Sequence, residues 1–441
     1  GRQCQPTSAG EYLMSIPIYI LGGSQTDFAR NWAREDLSIY DMFCETLNQA
    51  LVSTGISPDQ IEVGHVGNFV GDLFTGQGLI GGFFAEAHPE LSAIPTSRHE
   101  AACASGSIAV LSAMRDIEAG HYDLACVLGL EYMRNVDGQT GAEYLGAATW
   151  KGVEATDCDF PWPFMFDQII NEYDVRHGID CDHLKAISKI NFDNGRRNPN
   201  AQTRQWNFPP ECYTDSDQFN PVIEGKVRKM DCGQITDGAA CVFLASEKAA
   251  KAYAAEHHLK LSDIPIIKGW GHRSAALSLE SKLKLSAGQP FLFPHVNQLM
   301  VDTLGRAGFS HVTDLDGLET HDCFSITEYM AIDHIGLTAP GESWKAIEEG
   351  RIGMDGDFPI NSSGGLLGLG HPVGATGVRM LLDCAKQVTG QAGDYQIAGA
   401  KNMATFNLGG STTTCVSFIA VSYTHLRAHE TDSYLVCRLL L

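Results

Sequence analysis

Basic side chains are scarce. The 441 residues carry 31 Lys and Arg against 53 Asp and Glu, a net charge of −22, with a pI near 5.0. That balance argues against a nucleic-acid partner, because neutralising a phosphate backbone needs basic surface. A small anion is still admissible where local basic groups or helix N-termini receive it. Long apolar runs are lacking too. No stretch approaches the roughly 18 apolar residues of a membrane-spanning helix, so no span is expected. The 13 cysteines form no CxxC pair and no even spacing. Most sit in apolar runs, as Cys126 and Cys241 do, where a free thiol behaves as a small hydrophobe. Reduced thiols and a cytoplasmic location are expected rather than a disulfide framework. Residues 1–13 have neither the charged start nor the apolar stretch of a signal peptide, and are read as a non-native leader ahead of Met14. The tail 422–441, SYTHLRAHETDSYLVCRLLL, breaks from the preceding apolar strand and is read as artefactual. Organellar targeting is left open by these two foreign ends.

What is present is strand and helix in alternation. Residues 16–21 and 63–70 read as strands. Between them Ile39, Met42, Phe43, Leu47, Ala50 and Leu51 recur at helical spacing until Gly55. A helix is expected from about Cys103 to Gly120, and a buried strand over 124–130. Such alternation predicts an α/β fold with a mostly parallel, helix-covered sheet. Residues 135–231, rich in Pro, Trp, Asn and charge, read as an insertion with helical pieces such as 182–194. Regular structure resumes with a strand over 241–245. A second series follows: strands at 264–268 and 315–319, a helix over 325–335, another from Gly374 to about 388, and a strand at 396–400. Small-residue turns open helices at Cys103-Ala104-Ser105-Gly106 and at Gly374-Ala375-Thr376-Gly377. A Gly stop and a short strand follow each. This echo suggests a duplicated unit, divided at 14–258 and 259–421.

Four places carry possible chemistry. Cys103 stands at a helix start among Ala101, Ala102, Ala104 and Gly106. Small neighbours let a substrate approach, and the positive helix end favours thiolate. His371 lies in Gly370-His371-Pro372-Val373-Gly374-Ala375-Thr376-Gly377, where dense glycine implies close backbone approach and a histidine can take a thiol proton. His321-Asp322-Cys323-Phe324 joins an expected strand to an expected helix, where open α/β sheets place ligands. One of its side chains could donate to an oxyanion and the other shuttle a proton. A metal is the rival there, but His-x-Cys supplies two ligands and no third is evident, so none is expected. Asn407-Leu408-Gly409-Gly410 could expose backbone N–H groups to an oxyanion, or be a plain tight turn.

Together these motifs resemble the thiolase family in order and spacing. Leu128-Gly129-Leu130-Glu131-Tyr132-Met133, Asp237-Gly238-Ala239-Ala240 and Asn361-Ser362-Ser363-Gly364-Gly365 agree, and the resemblance covers about residues 16–421. Two departures stand out. The usual Asn-Glu-Ala-Phe reads His321-Asp322-Cys323-Phe324, and the usual late Cys-x-Gly reads Asn407-Leu408-Gly409. The pair is similar to the sterol-carrier-protein type of thiolase, in which a cysteine of the His-Asp-Cys-Phe motif replaces the missing one. The resemblance implies the thiolase fold: duplicated βαβαβαββ units in a five-layer αβαβα sandwich, with a loop domain at about 135–231.

It also implies an acyltransferase that forms or thiolytically cleaves 3-ketoacyl-CoA. His371 would draw the proton from Cys103, whose thiolate attacks a thioester. Cys323 would act as acid and base, and His321, with a water, would hold the enolate oxygen. Backbone N–H groups of Cys103 and Gly409 would hold the tetrahedral oxyanion. Coenzyme A and acyl-CoA enter as substrates, with no permanently bound cofactor. A homodimer or dimer of dimers is implied, in fatty-acid and lipid metabolism. The residues contacting CoA stay unassigned. Arg196, Arg197 and Arg204 could meet its phosphates or form a solvated face. Phe160, Trp162, Phe164, Met165 and Phe166 could line an acyl tunnel or form the insertion's own core. Two rivals stand beside this reading: a ketoacyl-synthase-like condensing enzyme, and a catalytically weak acyl-CoA-binding subunit. Chain length, direction and any need for a partner protein are not legible.

Overall fold

The computed structural model describes residues 16–422. The expected leader, 1–13, and the expected tail beyond 422 lie outside them. Nine strands form a single mixed sheet. In chain order they are β1 (Ile18–Gln25), β2 (Val63–Gly67), β3 (Thr96–His99), β4 (Leu124–Glu131), β5 (Gly238–Ala245), β6 (Ile266–Ser274), β7 (Gly317–Thr320), β8 (Asn402–Gly409) and β9 (Thr414–Val421). Their spatial order is β3-β2-β4-β5-β1-β6-β9-β8-β7.

The expectation of a mostly parallel sheet is corrected. β2 runs parallel to β3 and β4, and β7 parallel to β8. The five remaining pairings are antiparallel. The cause is connectivity. β8 and β9 form a hairpin across residues 410–413, which short connections force to be antiparallel. β4 reaches β5 only through the long insertion. The strand expected at 396–400 is also absent. Gln396 there donates to the carbonyls of Gln387 and Ile397, Gly399 takes φ +72°, and the chain enters β8 at Asn402, three residues later.

The sheet folds into two wings around a central pair of helices, α2 (Ser105–Glu118) and α8 (Thr376–Val388). Strand residues alternate strictly, and both faces are apolar. Ala125, Val127, Val242, Leu244, Val416 and Phe418 pack inward with Val110, Ala113, Val378 and Leu381 of the two helices. Cys126, Leu128, Cys241, Phe243 and Cys415 belong to the outer cluster. Outside one wing lie α1 (Ile39–Thr54) and α5 (Glu247–Glu256), and outside the other α6 (Pro294–Ala307). Helix, sheet, helix, sheet and helix make five layers, the thiolase fold. Local signals set the ends of α1: Ser38 and Asp41 form a capping box, and Gly55 closes it with φ +72°. Within the insertion, α3 (Pro161–His177) and α4 (Cys181–Gly195) pack on α7 (Ser325–His334), so it covers the connection that follows β7.

The motif glycines let α2 and α8 start almost in contact. A Cβ on Gly106 would lie 2.7 Å from the Gly374 carbonyl oxygen, and one on Gly377 2.3 Å from the Ser107 nitrogen. Real Cβ atoms do not approach so closely, so both positions need glycine. The two halves thereby deliver their helix starts, and with them Cys103 and His371, to one place.

Candidate active site

Cys103 lies in a 3₁₀ turn, Ala102–Ala104, just ahead of α2, rather than in the helix itself. Ala102 before it takes φ +50°, a left-handed conformation that costs a non-glycine residue about 1–3 kcal/mol. The turn is held by its neighbours. Glu100 Oε1 accepts the Ala102 N–H at 2.9 Å, the Ala101 N–H donates to Ser105 Oγ at 2.9 Å, and Ser105 Oγ donates to the Ala102 carbonyl at 2.6 Å. The thiol faces a cavity of about 400 Å³ with mostly apolar walls, among them Phe69, Met133, Leu145, Trp162 and Val373. Cys323, His371 and Gly410 line the same cavity. Lys229 is the charged residue on its wall.

Burial decides the ionisation states. The sequence reading gave the helix end the power to favour thiolate. Here desolvation outweighs the Gly410 and Cys103 N–H groups that bond the sulfur, and pushes the Cys103 thiol up to about 12. Cys323 is raised well above its ordinary value by burial, and a charge on Cys103 would raise it further. Burial brings His321 down to about 3 and holds His371 well below its ordinary value. All four groups rest neutral at pH 7.

The hydrogen bonds assign opposite tautomers to the two imidazoles. Thr376 Oγ1 donates to the Pro372 carbonyl, so it accepts from His371 Nδ1–H at 2.6 Å. The proton on Nδ1 leaves Nε2 with a lone pair, buried and without a partner. Asn407 is oriented by Ser107 Oγ, which donates to its Oδ1 at 2.7 Å, and by the Cys103 carbonyl, which accepts from its Nδ2 at 3.0 Å. The same Nδ2 donates to His321 Nδ1 at 3.3 Å. His321 therefore carries its proton on Nε2, also buried and without a partner. One ring offers a base and the other a donor. The rings meet edge to face at 5.2 Å, and the Cys103 sulfur and one nitrogen of each ring lie within 4.8 Å of one another.

A thiol and two imidazoles so close could also hold a metal ion. The third ligand that sequence reasoning could not find is thus supplied by the fold, from Cys103 and His371 rather than Cys323. The amide that faces the Cys103 sulfur is that of Gly410, one residue beyond Gly409. Gly409 sits in the β8–β9 ladder opposite Thr414. Cys323, carried just past the end of β7, presents its carbonyl to the Gly233 N–H at 2.8 Å and its side chain to the cavity.

Three supporting residues escaped a role in the sequence reading. Thr376 and Asn407 orient the imidazoles, as described. Glu131, fully buried, accepts from Asn68 Nδ2 and the N–H groups of Phe69, Val70 and Gly374 at 2.9–3.0 Å. Four donors demand the ionised form, although burial lifts its pKa to about 7. It ties the cavity wall at Phe69 to the His371 motif. A carboxylate in the middle of the apolar run 124–131 was the available signal. The aromatic set divides: Phe160, Trp162 and Phe166 line the cavity, whereas Met165 is buried in the core and Phe164 packs against it. Arg196, Arg197 and Arg204 line a different cleft, of about 590 Å³, with Lys386 and Asp394. Arg204 is paired there with Asp27 at 2.7 Å.

Comparison with known proteins follows the same outline. The family profile described as "Thiolase, N-terminal domain" matches residues 18–173, and "Thiolase C-terminal domain-like" matches 283–421. The acetyl-CoA acetyltransferase of Methanothermobacter thermautotrophicus is 31% identical over 395 residues, 89% of this chain and 96% of that protein. Sterol carrier protein 2 of Bos taurus is 27% identical over 400 residues, 89% of this chain and 70% of its own length. Among solved structures, the Ltp2–ChsH2(DUF35) aldolase superposes with a TM-score of 0.74 at 18% identity, covering 94% of this chain and 100% of that one. Human mitochondrial 3-ketoacyl-CoA thiolase in complex with CoA gives 0.66 at 17% identity, covering 93% and 99%.

Proposed function

This chain belongs to the thiolase family and is a thiolase-type acyltransferase, and on that premise we propose that Cys103 carries the acyl group between CoA thioesters. His371 Nε2 takes the thiol proton as Cys103 Sγ attacks the thioester carbonyl. The tetrahedral oxyanion is held by the N–H groups of Cys103 and Gly410, the latter in place of Gly409. CoA leaves as its sulfur recovers the proton from His371. In condensation, Cys323 gives its thiol proton to the freed His371 Nε2 and takes an α-proton from a second acyl-CoA in its place, and His371 returns its proton to Cys103 Sγ as the acyl group leaves that sulfur. His321 Nε2–H holds the enolate oxygen, and the enolate carbon attacks the acyl-enzyme to give 3-ketoacyl-CoA. Thiolysis is the reverse sequence.

One observation carries this reading: the Cys103 sulfur and one nitrogen of each imidazole lie within 4.8 Å of one another, while both Nε2 atoms, one a lone pair and one a donor, are buried without a partner. A neutral thiol and a neutral base store no ion pair, so the thiolate forms when substrate displaces water and completes the oxyanion contacts. The division into halves at 14–258 and 259–421, with the loop domain inserted, is part of the same proposal. A homodimer and a role in fatty-acid metabolism rest on the family alone, and a cytoplasmic location on the cysteine pattern. No helix among the described residues is long and apolar enough to cross a membrane.

The test is intact-mass measurement after mixing with acetyl-CoA or acetoacetyl-CoA. An acetyl increment mapped to Cys103, and absent in Cys103→Ala, is expected. Transfer only from a carrier protein would replace this proposal with a ketoacyl-synthase reading. No increment from any thioester would leave an acyl-CoA-binding subunit.

A further inference from the structure

The turn that carries Gly410 is held from behind by a charge that the reaction above does not use. This turn, 410–413, joins β8 to β9. Gly410 takes φ +63° and Thr412 φ +67°, a left-handed conformation that a β-branched residue keeps only when its surroundings enforce it. Lys282, on the short helix Leu279–Leu285, is 4% exposed. Its ammonium donates to Ser411 Oγ at 2.5 Å and to the Leu277 carbonyl at 3.2 Å. His295 Nε2–H, on α6, donates to the Thr412 carbonyl at 2.7 Å, and the Ala275 N–H to the Thr413 carbonyl at 2.9 Å. On the reading of Cys103 as acyl carrier and Gly410 as oxyanion donor, we propose that Lys282 is a positioning residue. Acting through Ser411, its ammonium fixes the Gly410 N–H where the oxyanion forms, and so sets the rate at which Cys103 is acylated.

A buried ammonium is costly unless it is paired. The acid that acts on Lys282, Glu154, accepts instead from the N–H groups of Leu279 at 2.6 Å and Trp150 at 3.0 Å, and forms no ion pair with it. A neutral side chain of similar length would avoid that cost. What the charge supplies is its bond to the turn. Ser411 directly follows Gly410, so one hydroxyl and one residue of backbone separate the ammonium from the amide that faces the Cys103 sulfur. A charge-assisted bond is about twice as strong as a neutral one, and here it restrains a turn in an unfavourable conformation. A positive charge behind that amide also favours negative charge in front of it, with little water between to screen it.

The charge has a limited pH range. Burial brings Lys282 down to about 8, against the opposing pull of Cys415 on β9 and Glu154 in the insertion. His295 faces it neutral, held down to about 4 mainly by burial. Glu280 and Lys284 on its own helix pair with each other, and Arg176 of α3 meets the chain farther on, at Leu283 and Ser286. Lys282 is therefore charged at pH 7. As pH rises through 8 its proton is lost, leaving an ordinary hydrogen bond and no charge behind the turn.

The test follows single-turnover acylation of Cys103 by acetyl-CoA, by quenched intact mass, between about pH 6.5 and 9.5. Alkylation of the same thiol by iodoacetamide, which develops no oxyanion, runs beside it. The wild-type acylation rate should hold to about pH 8 and then fall toward that of Lys282→Met. At pH 7 Lys282→Met should be slower by about 10- to 100-fold, short of the roughly 10²- to 10³-fold for losing an oxyanion donor outright, and should show no fall near pH 8. KM should stay within twofold, because neither Lys282 nor Ser411 lines the cavity. Ser411→Ala removes one hydroxyl and should fold even if Lys282→Met does not. It keeps the ammonium but cuts its link to the turn, and should slow acylation about tenfold. Alkylation in both variants should stay within threefold of wild type. Acylation by Ser411→Ala within twofold of wild type would overturn the proposal, and so would equal losses of acylation and alkylation, which mark a merely structural lysine. A wild type that forms no acyl-enzyme at any pH would instead remove the reading of Cys103, and the role of Lys282 with it.

Discussion

Thr376→Val isolates the tautomer of His371. Valine keeps the β-branched shape at the start of α8 and removes only the hydroxyl. The Pro372 carbonyl still accepts from the Ala375 and Thr376 N–H groups, at 2.9 and 3.1 Å, so one group alone loses its partner: His371 Nδ1–H, now 2.6 Å from that hydroxyl. A buried donor left unpaired costs about 1–3 kcal/mol. The ring can escape that cost by moving its proton to Nε2, but the lone pair that accepts from Cys103 is then gone. Restoring it costs the same energy, which at 1.36 kcal/mol per decade slows acylation about 5- to 150-fold. The assay is the single-turnover rate of acetyl-Cys103 formation, followed by quenched intact mass at saturating acetyl-CoA. KM should move little, because the hydroxyl does not line the cavity, and Thr376→Ser should recover most of the rate. An acylation rate within twofold of wild type in Thr376→Val would refute the assignment of the base to Nε2.

Cys323→Ala should still form the acyl-enzyme, yet lose about 10²- to 10⁴-fold in condensation and thiolysis; equal loss in both half-reactions would remove its acid–base role. Glu131→Gln keeps one acceptor oxygen where four donors converge, stranding two of them, and should lower unfolding stability by about 2–6 kcal/mol. Urea titration reads that difference, and wild-type stability would show that the donors find other partners. Stability should also fall in acid. His321 and His371 are held neutral by burial, His321 with a pKa of about 3, whereas the unfolded chain binds those protons below about 6.5. Each therefore contributes stability above pH 6.5 that is lost as pH falls, at about 1 kcal/mol per pH unit near pH 5. Urea midpoints at pH 7, 6 and 5 should fall less steeply in His321→Gln, and parallel slopes would remove the assignment.

The architecture was legible where local pattern and tertiary environment agree. Helical spacing in α1 and its Gly55 stop predicted an element observed almost to the residue. Direction of pairing was not legible: a buried strand reads the same parallel or antiparallel, since both faces are covered. The segment 396–400 shows a further limit, because Ile397 and Ala400 are buried in a loop that bonds to the end of α8. At the site, Cys103 and His371 were marked by the small residues around them, which exist because the two helix starts nearly touch. Thr376 and Asn407 stood inside quoted motifs without a role. Theirs is a matter of hydrogen-bond direction, which depends on Ser107 and Pro372 being adjacent in space. That the Gly410 amide, and not that of Gly409, faces the Cys103 sulfur was hidden for a related reason: Gly409 is still paired in the hairpin opposite Thr414, and register sets where the ladder ends.

The low polarity of the cavity carries a consequence for how the reaction can run. A thiol near 12 and imidazoles far below 6.5 place the neutral pair well below the charge-separated one in the empty site. An unpaired charge in such surroundings is costly. The proposed proton transfer from Cys103 to His371 therefore has to coincide with the appearance of something that stabilises charge. The attacked thioester supplies it, because negative charge moves from sulfur to the carbonyl oxygen as the bond forms, toward the N–H groups of Cys103 and Gly410. Reactivity toward small alkylating agents offers no such acceptor. The inactivation rate with iodoacetamide should thus rise about tenfold per pH unit from pH 7 to 10, as expected for a thiol that ionises above that range. A rate that levels off below pH 8 would mean a resting thiolate–imidazolium pair, and with it a cavity far more polar than its walls of Phe69, Met133, Leu145 and Val373 make it.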